Sequence, residues 1–155
     1  MHVHRYERVW MAFGFAILIL FMATIFVAAF VDNINPPSGS QTIDPTKVGS
    51  TPPFDHPGLH RNADGSYDAY YVAHVFAFAP ARLTIPRGST VTFYVTSSDV
   101  VHGFEIAQTD VNFMVIPGWV NSAVHRFTRP GTYLLVCNEY CGIGHQDMYG
   151  AIEVK

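Results

Sequence analysis

Thr90–Ser97, "TVTFYVTS", decides how the rest of the chain is read. Val91, Phe93 and Val95 alternate with Thr92, Tyr94 and Thr96, the period of two that turns one face of a β-strand inward and the other outward. "PRGS" just before it is a turn signal, and "RPGT" before Tyr133 is another. Runs of the same character lie on both sides: "YDAYYVAHVFAF", "RLTI", "HGFEI", "AVHRF", "GTYLLVC" and "GAIEV". Pro and Gly separate them, and no ten-residue helical pattern occurs after residue 31. Seven short strands in roughly 90 residues argue against βαβ units and for a mainly β chain, a Greek-key β-sandwich over residues 65–155.

The N-terminal text is of another kind. Val9 to Val31, "VWMAFGFAILILFMATIFVAAFV", is 23 residues without a charge. At about 1.5 Å of rise per residue it can cross a hydrocarbon layer roughly 30 Å thick. A secretory signal has an apolar region of only about 7–15 residues, so an uncleaved transmembrane helix over residues 9–31 is expected. A buried soluble helix would carry a polar face, whereas only Gly14 and Thr24 interrupt this run. Trp10 suits the membrane interface, and Arg5 and Arg8 before the span, against Asp32 after it, make residues 1–8 the cytoplasmic N-terminus. The C-terminal domain is then exported.

Residues 32–64 are rich in Pro, Gly, Ser and Thr and show no sustained period, so they are expected to form an extended linker packed over a domain surface, with His56 and His60 in solvated loop. The net charge of −3 suggests no nucleic-acid partner. Residues 32–155 hold seven Lys or Arg against eleven Asp or Glu, a mild negative balance.

Chemistry concentrates in "CNEYCGIGHQDM", residues 137–148, which contains both cysteines of the chain. It occupies a loop between two strands, where Gly142 and Gly144 let the backbone turn back. A disulfide is the ordinary fate of two cysteines in an exported domain, but it leaves His145 and Met148 unexplained. Structural zinc takes four Cys, His or carboxylate ligands and no thioether. Thiolate, thioether and imidazole together are a copper set. A single blue copper would use one cysteine, whereas two thiolates can bridge two coppers, each completed by one histidine and a weak axial ligand. His102 in "SSDVVHGFEI" is the candidate second histidine, since it follows a turn and has Val100, Val101 and Phe104 around it. His74 and His125 fall within expected strands and read as ordinary sheet residues; His2 and His4 precede the anchor. A centre closed by protein ligands leaves no position for a substrate, which favours electron transfer over bond chemistry.

"DVVHGF" around His102, "IPG" at 116–118, "RPGTY" at 129–133 and "CNEYCGIGHQDM" together resemble subunit II of the haem–copper cytochrome c oxidases, with its dinuclear copper CuA domain of cupredoxin fold. The likeness covers essentially the whole chain. It implies that Cys137 and Cys141 bridge two coppers, that His102 and His145 ligate one each, that Met148 is a weak axial ligand and that Glu139 offers its backbone carbonyl. In many members the matching Glu side chain also touches Mg at the interface with subunit I, so Glu139 is a candidate for that ion. One anchor instead of two, and "HVFAFAP" where the commoner members carry a tryptophan-rich strand, resemble the small subunit II of B-family, or ba-type, oxidases. Phe76 and Phe78 then stand near the site, with sheet core the ordinary alternative for at least one of them.

The resemblance further implies oxidase subunit I as partner, which holds the haem and reduces oxygen, a cytochrome c-type electron donor, membrane lipid, and a small extra helical subunit in place of the second anchor. It implies a prokaryotic plasma membrane, with the domain on the outer side. A membrane-anchored copper carrier or oxidase assembly factor is the alternative. Carriers of the thioredoxin-like type place Cys-x-x-x-Cys near the start of a βαβ pattern, whereas these cysteines come late in an all-β text.

Overall fold

The computed structural model describes residues 4–31 and 38–155. His2, Asp32 and the start of the expected linker lie outside the described residues. Helix α1 spans Arg5–Phe30, with the Glu7 carboxylate accepting the His4 N–H at 2.9 Å to close its first turn. It begins four residues before the apolar run because that cap lies upstream of it. None of its described side chains is buried, and its length and composition suffice to cross a membrane. Thr24 donates its hydroxyl proton to the Leu20 carbonyl at 2.9 Å, which satisfies the one polar side chain in the span.

Eleven strands follow among the described residues: β1 Ser38–Thr42, β2 Gly58–Arg61, β3 Tyr67–His74, β4 Ala77–Ala79, β5 Arg82–Ile85, β6 Thr90–Ser97, β7 His102–Ile106, β8 Asn112–Val115, β9 Trp119–Arg126, β10 Gly131–Val136 and β11 Tyr149–Val154. They form two sheets, β1-β9-β6-β3-β2 with β4 on β3, and β5-β11-β10-β7-β8. β3 lies parallel to β6 and β5 parallel to β11, while the other pairs are antiparallel. The result is a cupredoxin-like β-sandwich after a single apolar helix.

Between the sheets lies the core. Val91, Phe93 and Val95 are fully buried there, as their alternation requires, and meet Phe104, Ile106, Leu135 and Ile152 from the opposite sheet. Phe104 is its hub, with Tyr71 at 5.1 Å, Phe113 at 5.4 Å and Phe78 at 5.6 Å between ring centroids. β8 is not among the strands expected from the sequence, though its burial also alternates, with Phe113 and Val115 inside. The expected strand 67–78 is instead two, because the chain reverses at Val75 and Phe76 and folds β4 back on β3.

The outer face of the first sheet is also covered. Residues 43–54, expected as extended linker, contain a 3₁₀ turn, Pro45–Ser50, capped where Asp44 accepts the Thr46 N–H at 3.0 Å. Val48 and Phe54 are buried there with Val120, against Tyr70 and Tyr94 stacked at 5.2 Å. These apolar residues are too few and too irregularly spaced to produce a period. Phe54 is 5% exposed. Phe54→Ala is therefore expected to destabilise the exported domain by about 3 kcal/mol in denaturant titration of the full chain, where a solvated linker would give no change.

Candidate metal centre

β10 is the middle of three adjacent strands, flanked by β7 and β11. Leu135 pairs with Ile106 and Val136 with Glu105, so the antiparallel register carried further brings the start of β7 beside the end of β10. On the other side Leu135 pairs with Gly150 and Val136 with Tyr149, and the Cys137 N–H bonds the Met148 carbonyl at 3.2 Å. Cys137 thus sits where one strand ends, with His102 on one flank and Met148 on the other.

The side chains converge. The Cys137 and Cys141 sulfurs are 3.7 Å apart and free, far from the roughly 2.05 Å of a disulfide. His102 Nδ1 lies 3.9 Å from Cys137 Sγ, and the ligand atoms of His102, Cys137 and Cys141 all fall within 4.8 Å of one another. His145 Nδ1 is 3.6 Å and Met148 Sδ 3.7 Å from Cys141 Sγ. The Glu139 carbonyl oxygen faces Cys137 Sγ at 3.2 Å, while Glu139 itself is half-buried. The two histidines differ: His102 is fully buried and His145 half-buried.

Two supports of this cluster are not among the residues expected from the sequence, and a third is. Asp99 is the first: its Oδ1 lies 2.9 Å from His102 Nε2, and its carboxylate also takes the N–H groups of Val75 at 2.7 Å and Val100 at 2.6 Å. Burial opposes its ionisation, but the bond to His102 and the two backbone donors outweigh this and hold the carboxyl below the usual range. An ionised Asp99 only accepts, so the His102 proton belongs on Nε2 and the Nδ1 lone pair is left for a metal. The spacing Asp-x-x-His in "DVVH" was its available signal.

Gly103 is the second support. A Cβ there would stand 2.7 Å from the Asn138 nitrogen and 2.8 Å from that of Glu139, and the Gly103 N–H points at Cys137 Sγ at 3.4 Å. The missing side chain lets the ligand loop lie directly on β7. Asn138 then ties the loop down, donating to Glu105 and Asn112 at 3.0 Å each.

Phe76, expected near the site, is the third. Its ring lies against Gly142 and Gly144, where a Cβ would approach it to 2.9 and 2.5 Å. Phe78, by contrast, is in the core at 2% exposure, so the two phenylalanines of "HVFAFAP" divide between site and core. His74 is exposed at the end of β3, and His125 lies on β9 beside Asp110; neither joins the cluster of His102 and the cysteines. His60 bonds the His56 carbonyl at 3.1 Å in the surface segment.

The donor set fits copper: two thiols, imidazole and a thioether in a pocket where Cys137 is 7%, Cys141 8% and Met148 2% exposed. Burial first, and then the neighbouring Cys137 thiol, push the Cys141 thiol up, so a metal must displace its proton.

Residues 72–155 match the family described as cytochrome C oxidase subunit II, periplasmic domain. One cytochrome c oxidase subunit 2 of Thermus thermophilus is 37% identical over 154 residues, 97% of this chain and 92% of that one. A second from Thermus thermophilus is 36% identical over 131 residues, 83% of this chain and 97% of its own. A probable cytochrome c oxidase subunit 2 of Rickettsia bellii is 41% identical over 73 residues, 47% of this chain and only 27% of its own. Among solved structures, a chain of a heme-copper terminal oxidase dimer superposes with a TM-score of 0.77 at 31% identity, over 97% of this chain and 100% of that one.

Asp99→Ala is expected to weaken copper binding about 10- to 100-fold by competition titration, because His102 loses its orienting partner. The thermal unfolding temperature of the metal-free chain should also fall, because the buried His102 Nε2 and the Val75 and Val100 N–H groups lose their acceptor.

Proposed function

The chain belongs to the cytochrome c oxidase subunit II family, and from that membership we propose that it is the electron-accepting subunit of a haem–copper terminal oxidase, with a dinuclear copper CuA centre in the 137–148 loop. The observation that carries this is the pair of free, buried thiols 3.7 Å apart, with His102, His145 and Met148 around them. Cys137, Cys141, His102, His145 and Met148, with the Glu139 carbonyl, would be the residues that hold the copper pair. Bound there, the copper pair accepts and releases one electron at a time.

The protein's part is to keep that site from rearranging. Asp99 holds the His102 ring in one tautomer, Gly103 and Asn138 clamp the loop to β7, and the Phe76 ring packs on its glycines. Water is kept away by the same burial that makes the Cys141 thiol reluctant to ionise. A donor of cytochrome c type meets the exposed rim of the loop, where Tyr140 is 80% and Ile143 89% exposed. The loop carries Glu139 and Asp147 and no Lys or Arg, so a basic donor is favoured weakly and the apolar contact more.

Electrons pass on to haem in a partner subunit I, where oxygen is reduced. In this reading α1 is the single membrane anchor, with Arg5 and Arg8 on the cytoplasmic side and the domain outside. The Glu139 side chain is the group on this chain available to Mg at the subunit interface, and an extra helical subunit stands beside the single anchor. A copper carrier must pass its ion through exposed thiols, which the burial of both cysteines opposes.

Copper loading of the purified full chain is expected to give two coppers per chain and a purple mixed-valence spectrum. One copper, zinc alone, or a Cys137–Cys141 disulfide in the native protein would overturn the reading. Met148→Leu should retain both coppers but shift the reduction potential in protein-film voltammetry, since an axial thioether tunes a site more than it builds it.

A further inference from the structure

At the opposite end of the sandwich, where β3 and β6 begin and β9 ends, lies a second concavity. It has a volume of about 410 Å³ and is lined by Arg87, Arg126, Ser89, Thr90, Ser66 and Asp64, together with turn backbone. Its walls are tightly laced. Gly88 donates to the Phe127 carbonyl at 2.7 Å, Phe127 donates to the Ser89 carbonyl at 3.0 Å, and Thr90 pairs with Arg126 in the ladder.

The two arginines are anchored reciprocally. Arg87 Nε donates to the Thr128 carbonyl at 3.1 Å, and Arg126 Nε donates to the Gly88 carbonyl at 3.4 Å. Each guanidinium is therefore tied to the segment that carries the other. A guanidinium has five N–H donors, and one of each is used in this way. Among the described residues neither arginine forms an ion pair with a carboxylate. Asp64, on the rim, accepts the Ser66 N–H at 2.9 Å and its hydroxyl at 2.6 Å, so one of its oxygens is occupied by its own turn. The Ser89 and Thr90 hydroxyls line the same cleft and make no hydrogen bond among the described residues.

We propose that this cleft is an oxyanion site, taking a phosphate or phosphomonoester group between the Arg87 and Arg126 guanidinium groups with the Ser89 and Thr90 hydroxyls as further donors. Two planar guanidinium forks, each with donors left over, suit a tetrahedral oxyanion. Arg61 and Arg129 lie at the same end of the sandwich and add to the positive field, Lys155 there being paired with Glu153 at 2.6 Å, whereas the ligand loop at the other end has acidic residues and no Lys or Arg. The inference stands apart from the copper reading, since none of these residues touches the cysteine loop.

The test is calorimetric titration of the full chain in detergent with inorganic phosphate and, separately, with sn-glycerol 3-phosphate, at constant ionic strength set with chloride. Saturable one-to-one binding is expected, weakened about tenfold or more in Arg87→Gln and in Arg126→Gln, and unchanged in Arg82→Gln, whose charge lies outside the cleft. Arg87→Lys, which keeps charge and loses the fork, should fall between. Tighter binding of glycerol 3-phosphate assigns the site to a phosphomonoester, and tighter binding of inorganic phosphate to the free ion. No saturable heat with either probe at millimolar concentration overturns the proposal. So does binding that survives in the double variant while its thermal unfolding matches the parent.

Discussion

The register of β10 against its two neighbours is the constraint on which the site depends. Val136 opposite Glu105 on one side and opposite Tyr149 on the other sets Cys137 beside Met148 and Phe104, with His102 two residues along the same face of β7. Because the strand period is two and Leu135 points inward, Cys137 points inward as well, into the end of the core. A slip of one residue in either ladder would turn the sulfur to solvent. Donors from two distant parts of the chain are therefore assembled by backbone pairing that elsewhere only builds a sheet.

That arrangement explains how much could be read in advance. Strands with inward Val, Phe and Ile alternation, such as β6 and β11, declare themselves, and so does a loop dense in Cys, His and Met. Residues that act through the backbone do not. β1, with "SGSQT", and β2, with "GLHR", pair without an apolar face of their own, and Val48 and Phe54 cover the outer sheet from a stretch whose Pro and Gly content hides them. Asp99 and Gly103 flank His102 in plain sight, yet their roles depend on what lies opposite, and only the fold reveals Asn138 there.

The sandwich also separates two kinds of chemistry along its length. One pole is dry around two sulfurs and carries carboxylates and bare aromatic surface at its rim. The other is open, basic and laced by main-chain bonds. Between them runs the aromatic core around Phe104.

Phe76 comes from the sheet that does not carry the ligand loop, and its ring meets that loop at two glycines with no room for a methyl group. Transplanting residues 137–148 into another sandwich would bring every sulfur and one of the two imidazoles, but not the ring that seats them. A graft of this kind would be a set of donors without a mould, and its success would hinge on the host offering an aromatic side chain at the facing turn.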